Sequence, residues 1–477
     1  MSGMETQIPL PTGRGATPRD QPSAIVKYQP LEGVEDPNRY QYGGFHPVTL
    51  NAVLNDRYVV RHKLGWGRFS TVWLAVDMGE GEHYMQNVAI KVGAARNGLT
   101  QETAVLERLQ EPSSIVPTNV NELIPPALSS FQIHGINGIH PCLVTSVGGA
   151  TLEQAKWASS QGILRLDVVR ILAAQLVTAV AHVHEKGIVH GDLTLSSVLL
   201  HLPYDVNSLT HLDIVEAYGP AMLRPVQRID GQPLTAEAPQ TCVEPIRWRP
   251  VPEEITPTGA RIMLADYGES WTADSQVRCD STVPDVYQPP EARWDPRTPM
   301  SRPSDIWTLA CTLWDLVAWY PLFGTWYHGN KDITAEQNAV LGKLPRGWYS
   351  QWGRKSSYRR SRFDHENRPI DPEKYPDLEG RFETVVQRCR REMGMATMEE
   401  AEKEAFLEML RSMLKWQPAE RLTADAILRS SWMKHWALPE WDRQRMIAAS
   451  FDQPSGETGE VWLEDPDFFP DWLHFPV

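Results

Sequence analysis

The stretch from His190 to Leu200, HGDLTLSSVLL, constrains this chain more than any other. Just before it, Val168, Val169, Ile171, Leu172, Leu176, Ala179, Val180 and Val183 recur at helical spacing, so a helix ends near His184 to Gly187. After it, Val198, Leu199 and Leu200 read as a short apolar strand. A loop clamped between two packed elements is rigid, and this one presents His190, Asp192 and Ser197. A carboxylate held there suits a general base, because proton abstraction needs a group fixed within hydrogen-bond reach.

The chain has 477 residues, 42% of them hydrophobic, enough for one large core or two modest ones. No run approaches the roughly 18 apolar residues of a membrane span. The polar start MSGMETQIPLPTGRG lacks the apolar centre of a signal peptide, so a cytoplasmic and nuclear protein without membrane contact is expected. Five scattered cysteines, with no C-x-x-C spacing and an odd count, argue against a disulfide framework or a zinc site. A net charge of -14 disfavours direct nucleic-acid binding and is compatible with a basic partner; a solvated acidic surface is the simpler account of the bulk charge.

Residues 1–27 read as a disordered leader and 28–57 as an extension that wraps the first domain. From Tyr58 the pattern turns β, and Gly65-Trp66-Gly67-Arg68-Phe69-Ser70 lies between two apolar strands. Glycines there let a backbone approach a phosphate closely and expose its amides, while Leu64 and Val72 would cover a purine. As a lone signal, such a hairpin is as often a plain turn. The next strand, Val88-Ala89-Ile90-Lys91, carries a lysine, and Glu102 to Leu109 reads as a helix with apolar Val105, Leu106 and Leu109. Pro141 to Thr145 forms a further strand. Nine prolines between Pro203 and Pro257 mark an insert, 201–259, whose composition suits a surface excursion more than a second core. The strand Ile262 to Ala265 then delivers Asp266-Tyr267-Gly268, and residues 437–477 form an acidic, aromatic tail, of which Phe451 to Val477 either docks back on a lobe or binds a partner, docking being the expectation because exposed aromatics are a liability.

These motifs, in this order, resemble those of protein kinases, together with Tyr287-Gln288-Pro289-Pro290-Glu291, the Asp305-Ile306-Trp307 segment and Arg421. More specifically, Gly43-Gly44-Phe45-His46-Pro47-Val48, Leu64-Gly65-Trp66-Gly67-Arg68-Phe69-Ser70-Thr71-Val72-Trp73 and Phe131-Gln132-Ile133-His134-Gly135-Ile136-Asn137-Gly138-Ile139-His140 are similar to the SR-protein kinase (SRPK) family. The insert and Val340 to Pro345 resemble a divergent fungal branch of it. The likeness covers about residues 28–436.

The resemblance implies an α+β, two-lobed kinase fold: a small, mainly β N-lobe over 58–147 and a larger, mainly α C-lobe over 148–436. It implies ATP and Mg2+, and transfer of phosphate to serines in Arg-Ser-rich splicing proteins by a monomer. On it, Asp192 is the base, Lys91 binds the α and β phosphates and pairs with Glu107, and Glu102 is a solvated first-turn residue. Leu64 to Ser70, Val72, Ala89, Lys91, Thr145, Ser146, Val147 and Leu199 surround the nucleotide, and Asp266 and Ser197 hold the metal. Glu291 and Arg421 are scaffold. The loop departs from the family pattern at Gly191, Thr194 and Ser197, which stand in place of Arg, Lys and Asn. Gly191 removes the Arg that grips an activation-loop phosphate, so activity independent of that phosphate is expected. The neutral Ser197 and Thr194 predict weakened chemistry, which leaves three readings: an active Ser/Thr kinase, a nucleotide-binding pseudokinase, and a small-molecule phosphotransferase.

Overall fold

The computed structural model describes residues 27–79, 85–96, 100–113, 122–158, 162–202, 204–248, 255–273, 277–324, 333–355, 363–364, 368–371 and 375–451. The leader before Lys27 and the aromatic tail after Phe451 lie outside them, so the docking expected of the tail does too.

Short runs of β-branched and aromatic residues broken by turns build the first half. They give β1 (Val53–Leu54), β2 (Tyr58–Trp66), β3 (Ser70–Asp77), β4 (Gln86–Gly93), helix α1 (Thr100–Leu109), β5 (Ala127–Gly135) and β6 (Gly138–Thr145). The strands form one antiparallel sheet in the order β1-β2-β3-β4-β6-β5. Helix α1 buries Val105, Leu106 and Leu109 between that sheet and the second half of the molecule, as its apolar spacing requires.

The second half is mainly helical, in keeping with the two-lobed expectation. It opens with α2 (Leu152–Ala158), α3 (Leu166–Glu185), β7 (Ile188–Val189) and β8 (Val198–Leu200), and the insert adds α4 (His211–Tyr218), β9 (Leu223–Pro225) and β10 (Thr241–Val243). Then come β11 (Ile262–Leu264), β12 (Trp271–Thr272), α5 (Pro290–Trp294) and α6 (Arg302–Val317), followed by helices that include Glu400–Met413 and Leu438–Phe451. By length and composition α3 could cross a bilayer, contrary to the sequence expectation, but 89% of its most apolar window is buried. It is the core helix, packed with α6 and Glu400–Met413. Left-handed Gly187 (φ 73°) ends it and turns the chain into the loop at His190.

The insert runs over the surface, as its prolines suggested, and is anchored by a few buried apolar residues. It leaves the C-lobe after β8, crosses to the N-lobe and packs there, with Val243 joining the sheet's own core. Val226, Ala238 and Cys242 join Tyr28, Val34, Tyr40 and Phe45 of the N-terminal extension in one cluster, and Val206, Ile214 and Ile246 join Leu74, Ala89 and Val147 in another. The prolines stiffen a strap whose apolar residues are too widely spaced to show helical or strand periodicity.

The extension is anchored just as firmly. Lys63 of β2 pairs with Glu35 in a fully buried site, and Tyr40 donates its hydroxyl to the same carboxylate. Buried Asn137, at the β5–β6 turn, donates to Phe45 O (2.7 Å) and to Glu237 O of the insert (2.9 Å), while accepting from Gly43 N (2.8 Å). His46 stacks near His140 with ring centroids 4.9 Å apart. Gly135 makes room, since a Cβ there would lie 2.5 Å from His46 Nδ1. The two sequence motifs outside the catalytic machinery are therefore two halves of one joint.

Candidate active site

The loop after α3 is positioned chiefly by Asp305 of α6. Its carboxylate accepts from His190 N (2.7 Å), Gly191 N (3.0 Å) and His184 Nε2 (3.0 Å), so three donors of the loop and its approach converge on one buried anion. Thr312, about two helical turns further along α6, donates to Leu193 O at 2.7 Å. The His190 ring packs 4.9 Å from the ring of Tyr267, and its Nε2 lies 3.1 Å from Ala265 O. The catalytic loop is thereby tied to the strand that delivers Asp266.

Gly191 has φ 82°, and a Cβ there would lie 2.8 Å from both Glu269 O and Trp271. The position expected from the kinase pattern to carry an arginine thus has no room for a side chain. Arg278 takes over part of the bracing. It sits 5.0 Å over the Trp271 ring and donates to Glu269 O (2.9 Å) and to the Glu269 carboxylate (3.1 Å), an ion pair internal to the segment that requires no phosphate.

Asp192, Asp266 and Lys91 line one cleft of about 810 Å³ with Gly67, Arg68, Phe69 and Ser70. Asp266 adopts a left-handed conformation (φ 59°) that a non-glycine residue holds only when its surroundings impose it. That turn aims its carboxylate at Lys91 Nζ, 2.7 Å away, and the lysine charge holds its pKa below the usual carboxylate range. Burial alone would depress the Lys91 ammonium, but Asp266 and then Glu102 overcome it and hold the group firmly protonated. For Asp192, burial and then the charges of Asp266, Glu269 and Asp305 push the pKa up to about 7. A base poised near neutrality is the result.

Two sequence expectations are corrected by this geometry. The carboxylate facing Lys91 is Glu102, 2.8 Å from Nζ and buried, whereas Glu107 is exposed. Five residues of helix separate the two by about 140° of rotation, so only one can face inward, and α1 starts late enough to turn its first residues to the cleft. Glu102→Gln should lower kcat/KM about tenfold, a loss of roughly 1.4 kcal/mol of orientation, while Glu107→Gln leaves it unchanged. Steady-state kinetics on the two variants checks this.

The second correction concerns Ser197. Its hydroxyl donates to Thr194 O (2.8 Å) and accepts from Thr194 N (3.1 Å), which closes the loop on itself. Ser197 and Thr194 are both buried, and neither lines the cleft. The side chain is one bond too short to do both jobs, so a metal would find its oxygen in Asp266 and not in Ser197.

The nucleotide-base residues also converge. Leu64, Val72, Ala89 and Val147 fall in a single apolar cluster, and the hinge passes so close to Leu199 that a Cβ on Gly148 would lie 2.6 Å from its Cδ1. Thr145 pairs with Ala89 across β4 and β6, and Ser146 follows it into the hinge. Trp66 is 47% exposed and is not part of this cluster. Across the C-lobe, Arg421 forms a bidentate pair with Glu291 at 2.8 and 2.6 Å, both side chains fully buried.

The chain matches the protein kinase domain family over residues 254–433. It is 26% identical over 408 residues to serine/threonine protein kinases of Aspergillus fumigatus, a match covering 83% of this chain and 88% of theirs. The serine/threonine-protein kinase SRPK of Physarum polycephalum is 28% identical over 432 residues, 84% of this chain and 91% of its own. The chain is a serine/threonine protein kinase with similarity to SRPK. A shorter match, 36% over 174 residues, links the kinase to spk-1 of Caenorhabditis elegans, of which it spans 17%. In fold, the kinase superposes on a crystal structure of another kinase domain with a TM-score of 0.51 at 16% identity, covering 81% of this chain and 98% of the other. It is thus a serine/threonine kinase that uses ATP, a divalent cation and a protein substrate.

Proposed function

We propose that this kinase transfers the γ-phosphoryl group of MgATP to serines in Arg-Ser-rich proteins, acting as a monomer. The observation that carries the reading is Asp192, a half-buried carboxylate with a pKa near 7, fixed between the Asp305-bound loop and the Lys91–Asp266 pair.

Asp192 accepts the proton of the serine hydroxyl as the oxygen attacks. Lys91, oriented by Glu102, holds phosphate oxygens. Asp266, ionised and facing the cleft, is the fitting ligand for Mg2+, which neutralises phosphate charge when bound. Thr194 withholds the cation that an expected lysine would supply, so Lys91 and the metal carry more of the charge stabilisation. The choice of substrate is supported by charge. Asp192, Asp266, Glu269 and Asp280 line the cleft against Arg68, Lys91 and Arg278, and the last of these is already paired with Glu269. Relatives named SRPK and SRSF protein kinase support the same choice.

Transfer of radiolabelled phosphate to an Arg-Ser repeat peptide should exceed that to the same peptide with Lys-free, Glu-for-Arg composition by at least tenfold, a 1.4 kcal/mol preference. Equal labelling of both peptides would remove the substrate class while leaving the kinase intact.

A further inference from the structure

The tip of the Gly-rich loop spans Gly67 to Ser70. Gly67 N donates to Ser70 O at 2.9 Å, which makes the tip a tight four-residue turn. Left to its two strands, such a turn can swing as a unit. Here two carbonyls of the tip are held from outside: Phe69 O accepts from Ala94 N at 2.8 Å, and Arg68 O accepts from the guanidinium of Arg39.

Arg39 belongs to the N-terminal extension and cannot move freely itself. Its own carbonyl accepts from Phe45 N (2.9 Å), and its guanidinium lies 5.2 Å over the Phe45 ring, which is buried. A Cβ on Gly44 would lie 2.0 Å from Arg39 O, so only glycine permits this hook. The hook is pinned in turn to the end of the lysine-bearing strand, since Ala95 N donates to Gly44 O (3.0 Å) and Arg96 N to Gly43 O (3.2 Å).

We infer that Arg39 is a positioning residue for the nucleotide. A peptide unit is planar, with its C=O and the following N–H opposed. Pulling Arg68 O toward the hook therefore turns Phe69 N–H away from it, fixed as a donor for a phosphate oxygen without ordering on binding. The extension thus braces the loop in the conformation that receives ATP.

Arg39→Ala and Arg39→Lys in the full chain test this. The alanine variant should show faster amide hydrogen exchange across Gly65 to Ser70 and a dissociation constant for ATP raised about five- to tenfold, the scale of one net hydrogen bond. Its melting temperature and its KM for peptide should not change, and the lysine variant, which keeps a donor, should recover part of the ATP affinity. Unchanged exchange and ATP affinity in the alanine variant would overturn the inference. So would a weakening of ATP binding that comes with a fall in melting temperature and is equal in both variants, because that marks a merely structural hook.

Discussion

Asp192→Asn is expected to lower turnover by about 10² to 10⁴, the usual contribution of a positioned general base, while ATP still binds. Amide and carboxylate have the same shape, and the backbone of residue 192 donates to His190 Nδ1 (3.2 Å) whichever side chain is present, so the loop keeps its place. The same substitution should stabilise the metal-free protein at alkaline pH. Burial and the neighbouring carboxylates raise the Asp192 pKa to about 7 in the folded state, against about 4 in an unfolded chain. As pH rises from 4 to 7 the unfolded state releases this proton first, so the group drains stability across that window, and the loss is complete above 7. Asparagine has no proton to release. In a chelator at about pH 8 the variant should melt higher than the native protein, and near pH 4 the difference should vanish. Equal melting temperatures at both pH values would place Asp192 in a less acidic surrounding than the structure gives it. The active enzyme carries a divalent cation at Asp266, which offsets the nearest negative charge, so the acid limb of kcat/KM should lie below the pH of about 7 set by the metal-free site.

Arg421→Ala should destabilise the protein by about 3–5 kcal/mol, the cost of leaving a buried carboxylate without its cation. Both members of the Glu291–Arg421 pair are fully buried, and the guanidinium also donates to Pro303 O (2.8 Å) and Lys415 O (3.0 Å) and lies 5.2 Å over Trp307. Among the described residues Glu291 also accepts from the hydroxyl of Ser304 at 2.9 Å, which cannot neutralise it. The pair thus joins the end of the activation segment, the start of α6 and the loop before residue 424. Denaturant unfolding of Arg421→Ala, set against the double variant Glu291→Leu with Arg421→Met, measures this. The double variant removes both charges and should recover much of the loss, whereas equal midpoints for the two would show that packing matters more than charge.

The catalytic loop, the strand lysine, Asp266 and the Glu291–Arg421 pair could be read from the sequence because each is a short local pattern whose spacing carries its own geometry. The lysine's partner could not. Glu102 and Glu107 lie on the same apolar-periodic segment, and which one faces inward depends on where α1 begins, a boundary set by tertiary packing. Asp305 stood out only as part of a motif, and its three hydrogen bonds to the loop have no signature in sequence. Ser197 was misread for a similar reason: residue type suggested a weak metal ligand, while its neighbour's backbone offered a nearer partner. The insert was legible as a surface segment, but its anchoring was not, because contacts between residues far apart in the chain, such as Tyr28 with Val226, leave no periodicity behind.

The strap formed by the insert also bears on how the protein is made. Residues 206–246 contribute to the apolar clusters of the N-lobe, so that lobe draws on three separated stretches of chain. During synthesis its strands emerge first, yet Tyr28, Phe45, Leu74 and Ala89 remain uncovered until the ribosome has passed the catalytic loop and about half the protein is made. Domains fold as units when their sequence is complete, and uncovered apolar surface invites aggregation meanwhile. The nascent kinase therefore passes through a long interval in which its first lobe is unfinished and dependent on chaperones, and a fragment ending at the hinge is expected to be insoluble.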